Sequence, residues 1–261
     1  MGKQTPSYLA LRFQAYELLT TRFAVISIGR ALVEAYLSRP NHTIIGAVRN
    51  PESTTLKNVK PAEGSKLLLV KIEATSETDP AAAIEQIRAA GITSLDVVIA
   101  VAGINPASAF ADVKDMDVKA LRDVFDVNTF SFVSLFKAIH PLLKASASSP
   151  KLLAISSNAS QIVEMEPTIP VKVGVYGASK AALNYLVRRA HFENPWLTAW
   201  VMNPGFVQTA TGNAHAQLWG MEKAPHSIDD IIPGLLGKID EATRAETSGN
   251  FYNFDGTPLT Y

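Results

Sequence analysis

The residues best suited to chemistry are a tyrosine and a lysine four positions apart, Tyr176 and Lys180, in a segment with a helical pattern. Side chains at this spacing share one helical face with Cβ atoms about 6 Å apart, so the phenol and the ammonium can meet. A nearby cation should lower a tyrosine pKa that is ordinarily about 10. The pair therefore predicts a group that exchanges protons with a carbonyl or alcohol oxygen, although a chance pair on an exposed face is the alternative.

Hydroxyl groups precede this helix at the end of an apolar stretch. A predicted strand, Lys151 to Ser156, runs directly into Ser157, and Ser160 follows. Ser157 is the favoured hydroxyl on motif position, and Ser160 is the alternative. Ligands of open α/β sheets bind at the carboxyl ends of the strands, so a hydroxyl there can donate to a substrate oxygen. A serine that only ends a strand or caps a helix is the alternative.

The elements that position these residues alternate between β-branched apolar runs and helical patterns. This alternation predicts one doubly wound parallel sheet of α/β class with helices on both faces. The predicted strands are Thr43 to Val48, Lys66 to Ile72, Leu95 to Val101, Lys151 to Ser156, Leu197 to Asn203 and Gly249 to Tyr252. The predicted helices are Gly29 to Arg39, Pro80 to Ala90, Asp117 to Leu143 and Tyr176 to Phe192.

Composition narrows the possible partners. The chain has 261 residues, with 24 basic and 24 acidic side chains, so no overall field favours nucleic acid. No apolar run approaches the roughly 20 residues that cross a bilayer. Cysteine is absent, and the five histidines are scattered without metal-ligand spacing. We expect one main domain in a cytoplasmic protein, with no metal, no nucleic acid and no membrane partner.

Several ordered motifs together resemble the short-chain dehydrogenase/reductase family from Ile28 almost to the C-terminus. Ala102 and Gly103 look like the end of its NAG motif, Asn128 is similar to its active-site asparagine, and residues 203–209 (NPGFVQT) look like its PGxVxT segment. The resemblance implies a Rossmann-type fold and a reductase. It implies four catalytic residues: Tyr176 as general acid, Lys180, Ser157 orienting the carbonyl, and Asn128 anchoring a relay water.

The same resemblance implies a dinucleotide cofactor. Arg49 stands after the second family strand, where NAD enzymes place an acidic residue, and a guanidinium matches a 2′-phosphate in charge and shape. NADP(H) is therefore expected, with a solvated surface arginine as the alternative. The implied cofactor residues are Ile28, Gly29, Arg49, Glu73, Ala102, Gly103, Lys180, Val207 and Thr209.

The pattern departs from the family before Ile28. Of the glycine-rich TGxxxGxG turn only the last glycine, Gly29, is present, with Ser27 and Phe23 where the other two would stand, and Val101 replaces the asparagine of NAG. Residues 1–27 lack a clear strand and turn, and 28–261 form the reductase domain. This atypical N-terminal segment is either a genuine variant that holds a possible first strand or a wrongly translated exon, and we favour the second hypothesis.

The expected activity is NADPH-dependent reduction of a ketone. A narrower resemblance, to fungal ketoreductases of the norsolorinic acid ketoreductase type, suggests an aromatic or polyketide-like substrate of secondary metabolism. Specificity should lie in residues 210–225, where Leu218, Trp219 and Met221 could close over an apolar ligand. The resemblance also implies a homodimer or homotetramer through the Asp117 and Tyr176 helices. The alternative is a catalytically impaired scaffold or regulatory protein, because the glycine turn is incomplete.

Overall fold

A computed structural model describes residues 7–11, 27–168 and 171–261, and within them the predicted parallel sheet is present. The strand order is β3-β2-β1-β4-β5-β6-β7-β8, and only the last pair, β7 with β8, is antiparallel. This order confirms the doubly wound α/β class. The strands are β1 (Ser7–Leu11), β2 (Thr43–Val48), β3 (Lys66–Lys71), β4 (Val97–Ala100), β5 (Lys151–Ile155), β6 (Thr198–Asn203), β7 (Phe251–Asn253) and β8 (Pro258–Leu259).

Helices connect the strands on both faces of the sheet. None in the described part of the chain is long and apolar enough to cross a membrane. Short 3₁₀ turns lie at 55–58, 107–109, 113–115 and 158–160. The helices are α1 (Ile28–Leu37), α2 (Asp79–Ala89), α3 (Val118–Phe125), α4 (Ser131–Lys144), α5 (Met165–Thr168), α6 (Gly174–Glu193), α7 (Ala210–Leu218) and α8 (Ile228–Glu241).

Two apolar layers hold the helices to the sheet. On one face α2, α4 and α6 bury residues such as Ile87, Leu135 and Val187 against the strands. On the other face α1 and α8 bury Leu32 and Leu235 with their neighbours. The strands are apolar on both sides because both sides are covered, as expected for a parallel sheet. The helices cover the two faces of the sheet, and the loops at the carboxyl ends of the strands carry the candidate catalytic residues.

The first strand is a difference from the sequence pattern. The pattern gave no clear strand before residue 27, yet Ser7–Leu11 forms β1 in the middle of the sheet, parallel to β2 and β4. Its sequence, SYLAL, has no β-branched residue and therefore a weak local signal. Hydrogen bonding to a strand on each side supplies what the local propensity lacks. Residues 12–26, and with them the Phe23 prediction, lie outside the described residues.

The helices differ from the sequence pattern in two further places. The helix predicted from Asp117 to Leu143 is interrupted by a π-helical turn, Asp126–Phe130, between α3 and α4. Such turns insert an extra residue and often mark functional sites, and this one carries Asn128. Helix α8 was not predicted, because Pro233 and Gly234 inside it are poor helix formers. Gly234 fits because a side chain there would collide with the Phe254 carbonyl.

A polar clamp fixes the end of α6 to the segment before β7. Arg244 donates to the His191 ring at 2.7 Å and to the Leu197 carbonyl at 2.6 Å. Ser248 also contacts the same His191 nitrogen, at 2.6 Å. Burial, together with Arg244 and Arg188, lowers the pKa of His191. The folded clamp therefore requires the neutral imidazole.

We expect this clamp to make the fold acid-sensitive. Since the pKa of His191 is lower in the folded chain than its unfolded value of about 6.5, the unfolded chain binds the proton first, and stability is lost as pH falls below that value. Replacing His191→Gln should flatten this part of the pH profile, measured by urea unfolding at pH 7.5 and 5.5. His42→Gln, outside the clamp, is the matched control and should keep the acid-side loss. An unchanged slope in His191→Gln would contradict the assignment.

Candidate active site

The predicted catalytic residues meet at the carboxyl edge of the sheet. The loops after β4 and β5 reach this edge beside the first turns of α6. Tyr176 and Lys180 lie on those turns, Ser157 follows β5 directly, and Asn128 comes from the π-helical turn. Because the strands are parallel, their carboxyl ends converge there and bring distant parts of the sequence together. The contacts below connect all four residues.

Lys180 is the most enclosed of the four. Its side chain is only 2% exposed, and its Nζ donates to the Ile155 carbonyl, the last of β5, at 2.8 Å. The same Nζ lies 5.9 Å from the centre of the Tyr176 ring. Burial lowers the pKa of Lys180 to about 8. At neutral pH the group is still mostly an ammonium, held at the strand end beside the phenol.

The pKa of Tyr176 differs from the sequence expectation. We expected the lysine to lower it, but burial raises the pKa of Tyr176 to about 12, and only a hydrogen bond with Ser157 acts in the opposite direction. The expectation was wrong because it considered the ammonium and neglected the loss of water around the phenol. Tyr176 is therefore fully protonated at neutral pH, which is the form that a proton donor requires.

Ser157, rather than Ser160, offers its hydroxyl to the site. Ser157 Oγ caps the turn after β5 by accepting from the Ala159 amide at 3.1 Å, and it hydrogen-bonds to Tyr176. Ser160 is buried, and its hydroxyl donates to the Ser157 carbonyl at 2.5 Å while accepting from Asn184 at 2.7 Å. The Ser160 hydroxyl thus both donates and accepts a hydrogen bond within the fold.

Two residues that the sequence reasoning missed hold this serine turn against α6. Asn184, two turns beyond Tyr176, accepts from Ser156 at 2.6 Å and donates to Ser160. Gly177 lies so close to the Ala159 carbonyl that a side chain would collide with it. The sequence signals were a polar residue on a buried helical face and a glycine inside the tyrosine motif. Neither signal is specific without the tertiary contacts.

Asn128 joins the loop after β4 to α6. Its Oδ1 accepts from the Ile104 amide at 2.7 Å, and its Nδ2 donates to the Ile104 carbonyl at 2.9 Å and to Ser179 Oγ at 3.0 Å. Gly103, just before this loop, packs on the same cluster, since a Cβ there would lie 3.1 Å from Lys180 Nζ. A larger residue at position 103 would press on the ammonium. Steric contact with Lys180 therefore explains why a glycine stands at this position of the NAG-like motif.

The predicted cofactor residues are spread along the same edge. They lie at the ends of strands, in the loops that follow, or in the first turns of the next helix. Ile28 and Gly29 begin α1, which Ser27 caps by accepting from Arg30. Exposed Arg49 follows β2, half-buried Glu73 follows β3, Ala102 follows β4, and the loop after β6 carries Val207 and Thr209.

Three of these residues also have structural contacts. Glu73 accepts from the Ala74 amide at 2.9 Å. Thr209 caps α7 by accepting from the Gly212 amide at 3.0 Å, and Val207 pairs with His226. Val101, where the family has asparagine, is half-buried against the core on the α1 side. In these contacts the residues shape the edge of the sheet.

The donor set at this edge fits a ribose-containing cofactor. An ammonium has three N–H donors, and one of those on Lys180 is used by Ile155. The other two make no hydrogen bond within the described residues and can donate to the hydroxyl groups of a ribose. Among the described residues no group of acidic, histidine or cysteine side chains could hold a metal.

The segment expected to set specificity forms α7 and the turn after it. Trp219 packs in a group of rings with Phe110, Phe206 and His215. Leu218 and Met221 are exposed apolar side chains beside it, 60% and 41% accessible. An apolar surface therefore lies along α7, and α7 is tied to the loop after β4 by the hydrogen bond between His215 and the Asn105 carbonyl.

Comparisons with known proteins agree with this geometry. The chain is 40% identical over 239 residues to norsolorinic acid ketoreductase nor1 from Dothistroma septosporum, covering 90% of this chain and 88% of the relative. It is 39% identical over 238 residues to norsolorinic acid ketoreductase from Aspergillus parasiticus, covering 90% and 87%. Each relative is thus matched over most of its own length.

Solved structures share the fold at low sequence identity. NADPH-bound carbonyl reductase from chicken fatty liver superposes with a TM-score of 0.79 at 20% identity, over 99% of this chain and all of that one. Carbonyl reductase Sniffer of D. melanogaster gives 0.77 at 21%, over 98% and 99%. Residues 24–217 match the family described as short chain dehydrogenase. The chain belongs to the short-chain dehydrogenase/reductase family.

Proposed function

We propose that the protein is an NADPH-dependent ketoreductase. The observation that carries this proposal is a protonated Tyr176 that is hydrogen-bonded to Ser157 and lies beside the buried Lys180 ammonium. Relatives named norsolorinic acid ketoreductase support a ketone substrate, and the NADPH-bound carbonyl reductase of the same fold supports the cofactor. An aromatic or polyketide-like ketone of fungal secondary metabolism is the substrate class that fits these names.

The chain's own residues account for the proton in this reaction. NADPH, when bound, supplies a hydride to the carbonyl carbon. Ser157 donates to the carbonyl oxygen and orients it, and Tyr176 transfers its proton to the oxygen as negative charge develops there. Lys180 stabilises the phenolate that remains and donates to ribose hydroxyls. Asn128 fixes the loop after β4, and we propose that it anchors the water that returns a proton to the site.

At the start of the reaction Tyr176 is in the protonated form that ketone reduction requires. A phenol with a pKa of about 12 keeps its proton until an alkoxide forms beside it, whereas alcohol oxidation would need the phenolate at the start. A non-catalytic scaffold, the second candidate, does not require a lysine buried at a strand end, and such burial costs stability. The intact cluster therefore favours the enzyme.

The cofactor contacts follow from position along the edge. We propose that Arg49, exposed and without an acidic partner among the described residues, binds the 2′-phosphate. Glu73 would border the adenine, and Ile28 and Gly29 would present α1 amides to the pyrophosphate. Val207 and Thr209 would hold the nicotinamide carboxamide, as in the family.

A second copy of the chain is the proposed partner besides the small-molecule carbonyl or alcohol. Apolar side chains stand exposed on the α3 and α4 run and on α6, with Phe130 at 54%, Tyr185 at 67% and Phe192 at 72%. A homodimer or homotetramer through these helices would cover them. We also propose a cytoplasmic location. The chain has no cysteine, so its fold does not depend on disulfide bonds that would need an oxidising compartment.

Replacing Tyr176→Phe tests the catalytic assignment. The phenyl ring keeps the packing and loses only the proton donor, so kcat for ketone reduction should fall by roughly 10²- to 10⁴-fold while NADPH affinity stays nearly constant. Steady-state absorbance at 340 nm and fluorescence titration measure the two quantities. Tyr185→Phe, on an exposed part of the same helix, is the matched control and should retain activity. Ordinary turnover in Tyr176→Phe would remove Tyr176 from the mechanism.

Replacing Arg49→Asp tests the cofactor preference. A carboxylate repels the 2′-phosphate and accepts from ribose hydroxyls, so the ratio of kcat/KM for NADPH over NADH should fall by at least about tenfold and can invert. The ratio is measured with one ketone and both cofactors. Arg189→Asp, on exposed α6 surface, should leave the ratio unchanged. If Arg49→Asp also leaves it unchanged, another residue must bind the phosphate.

A further inference from the structure

Within the part of the chain that the structure describes, one buried acceptor near the catalytic cluster has no hydrogen-bond partner. Asn105 is only 8% exposed, and its Oδ1 is one of three buried side-chain atoms without a hydrogen bond among the described residues. The other two, on Thr198 and Trp200, lie on β6 within the sheet. An unpaired buried oxygen costs stability, and native structures keep few of them. Asn105 alone of the three lies in a loop at the carboxyl edge.

The backbone around Asn105 is fixed from both sides. Asn128 holds both polar groups of the preceding residue, Ile104, at 2.7 and 2.9 Å. The Asn105 carbonyl itself pairs with Nε2 of His215 on α7 at 2.7 Å. The loop is thus tied to the catalytic asparagine on one side and to the specificity helix on the other. The backbone that carries the Asn105 side chain is therefore held on both sides.

Aromatic rings extend the surface next to this loop. Phe110, from the same loop, meets His215 edge-on at 5.1 Å between ring centres and Trp219 at 5.9 Å. Phe206, after β6, lies 5.3 Å from Trp219. Burial lowers the pKa of His215, so at neutral pH its ring is uncharged like the other three. Four neutral rings from three segments form a wall suited to a flat apolar body.

From these observations we propose that Asn105 is a specificity-determining residue whose side-chain oxygen accepts a hydrogen bond from a hydroxyl group on the ketone substrate. The ring that bears this hydroxyl packs along the wall of Phe110, Phe206, His215 and Trp219. The inference rests on the proposed ketoreductase function and deepens it. A methyl ether at the same position has no proton to donate, and it leaves the Asn105 oxygen buried and unpaired.

The test compares matched ketones. Acetylnaphthalenes with one hydroxyl at each ring position are paired with their methyl ethers, and dissociation constants are measured by calorimetry with and without NADP⁺. For at least one position the hydroxyl compound should bind the wild-type protein about tenfold more tightly than its ether, as one hydrogen bond to a buried neutral group allows. Turnover with NADPH is measured on the same pairs as kcat/KM.

Three variants locate the effect. Asn105→Leu keeps the size and removes the acceptor, so the hydroxyl-to-ether ratio should fall close to one. Asn105→Asp restores an acceptor and should restore a ratio above one. Thr198→Val removes another unpaired buried oxygen, on β6, and should keep the wild-type ratio. If Asn105→Leu does not fold, Asn105→Ser, in which the shorter side chain withdraws the oxygen, carries the same prediction.

The outcomes separate this inference from the function on which it rests. Equal binding of hydroxyl compound and ether at every position in the wild type would overturn it, as would an unchanged ratio in Asn105→Leu. Reduction of the plain ketone with a ratio of one overturns the role of Asn105 and leaves the ketoreductase standing. A hydroxyl-to-ether binding ratio that depends on Asn105, together with no reduction of any ketone, would support the role of Asn105 in binding and contradict the ketoreductase function.

Discussion

The hydrogen bond from Lys180 to the carbonyl that ends β5 is the contact on which the site depends. It holds a nearly buried ammonium at the one place where a strand end, the serine turn and the start of α6 meet. A lysine enclosed in this way is costly unless its charge is hydrogen-bonded. The bond therefore sets the position of α6 relative to β5, and this position places Tyr176 beside Ser157. Gly103 leaves the room that the ammonium needs.

Burial of the cluster explains why the pKa values of its two ionisable groups shift in opposite directions. Burial disfavours charge on either group, so the pKa of Tyr176 rises to about 12 and that of Lys180 falls to about 8. Each shift has the same physical origin, the loss of water at the carboxyl edge. The site consequently begins with a neutral proton donor next to a cation. That arrangement serves a reaction in which negative charge develops on a substrate oxygen.

Much of the fold and the site could be predicted from the sequence, because they depend on local pattern and motif order. Alternating apolar runs gave the parallel sheet, and ordered motifs gave Tyr176 with its three partners. What escaped prediction depends on tertiary neighbours. The weak local signal of β1 is overcome by strands on both sides, and the structural role of Asn184 exists only because Ser156 and Ser160 pack against it. The Tyr176 shift likewise reflects burial that no spacing reveals.

The central claim is that this cluster donates the proton while NADPH supplies the hydride in the reduction of a ketone, and that the chain is not an inactive member of a reductase fold. The most direct test supplies NADPH deuterated at the transferring C4 position together with an aryl ketone, and examines the product by mass spectrometry. We expect one deuterium on the carbinol carbon for each NADPH molecule that is oxidised. Binding of the deuterated cofactor with no deuterium in any alcohol, across a panel of aryl ketones, would contradict it.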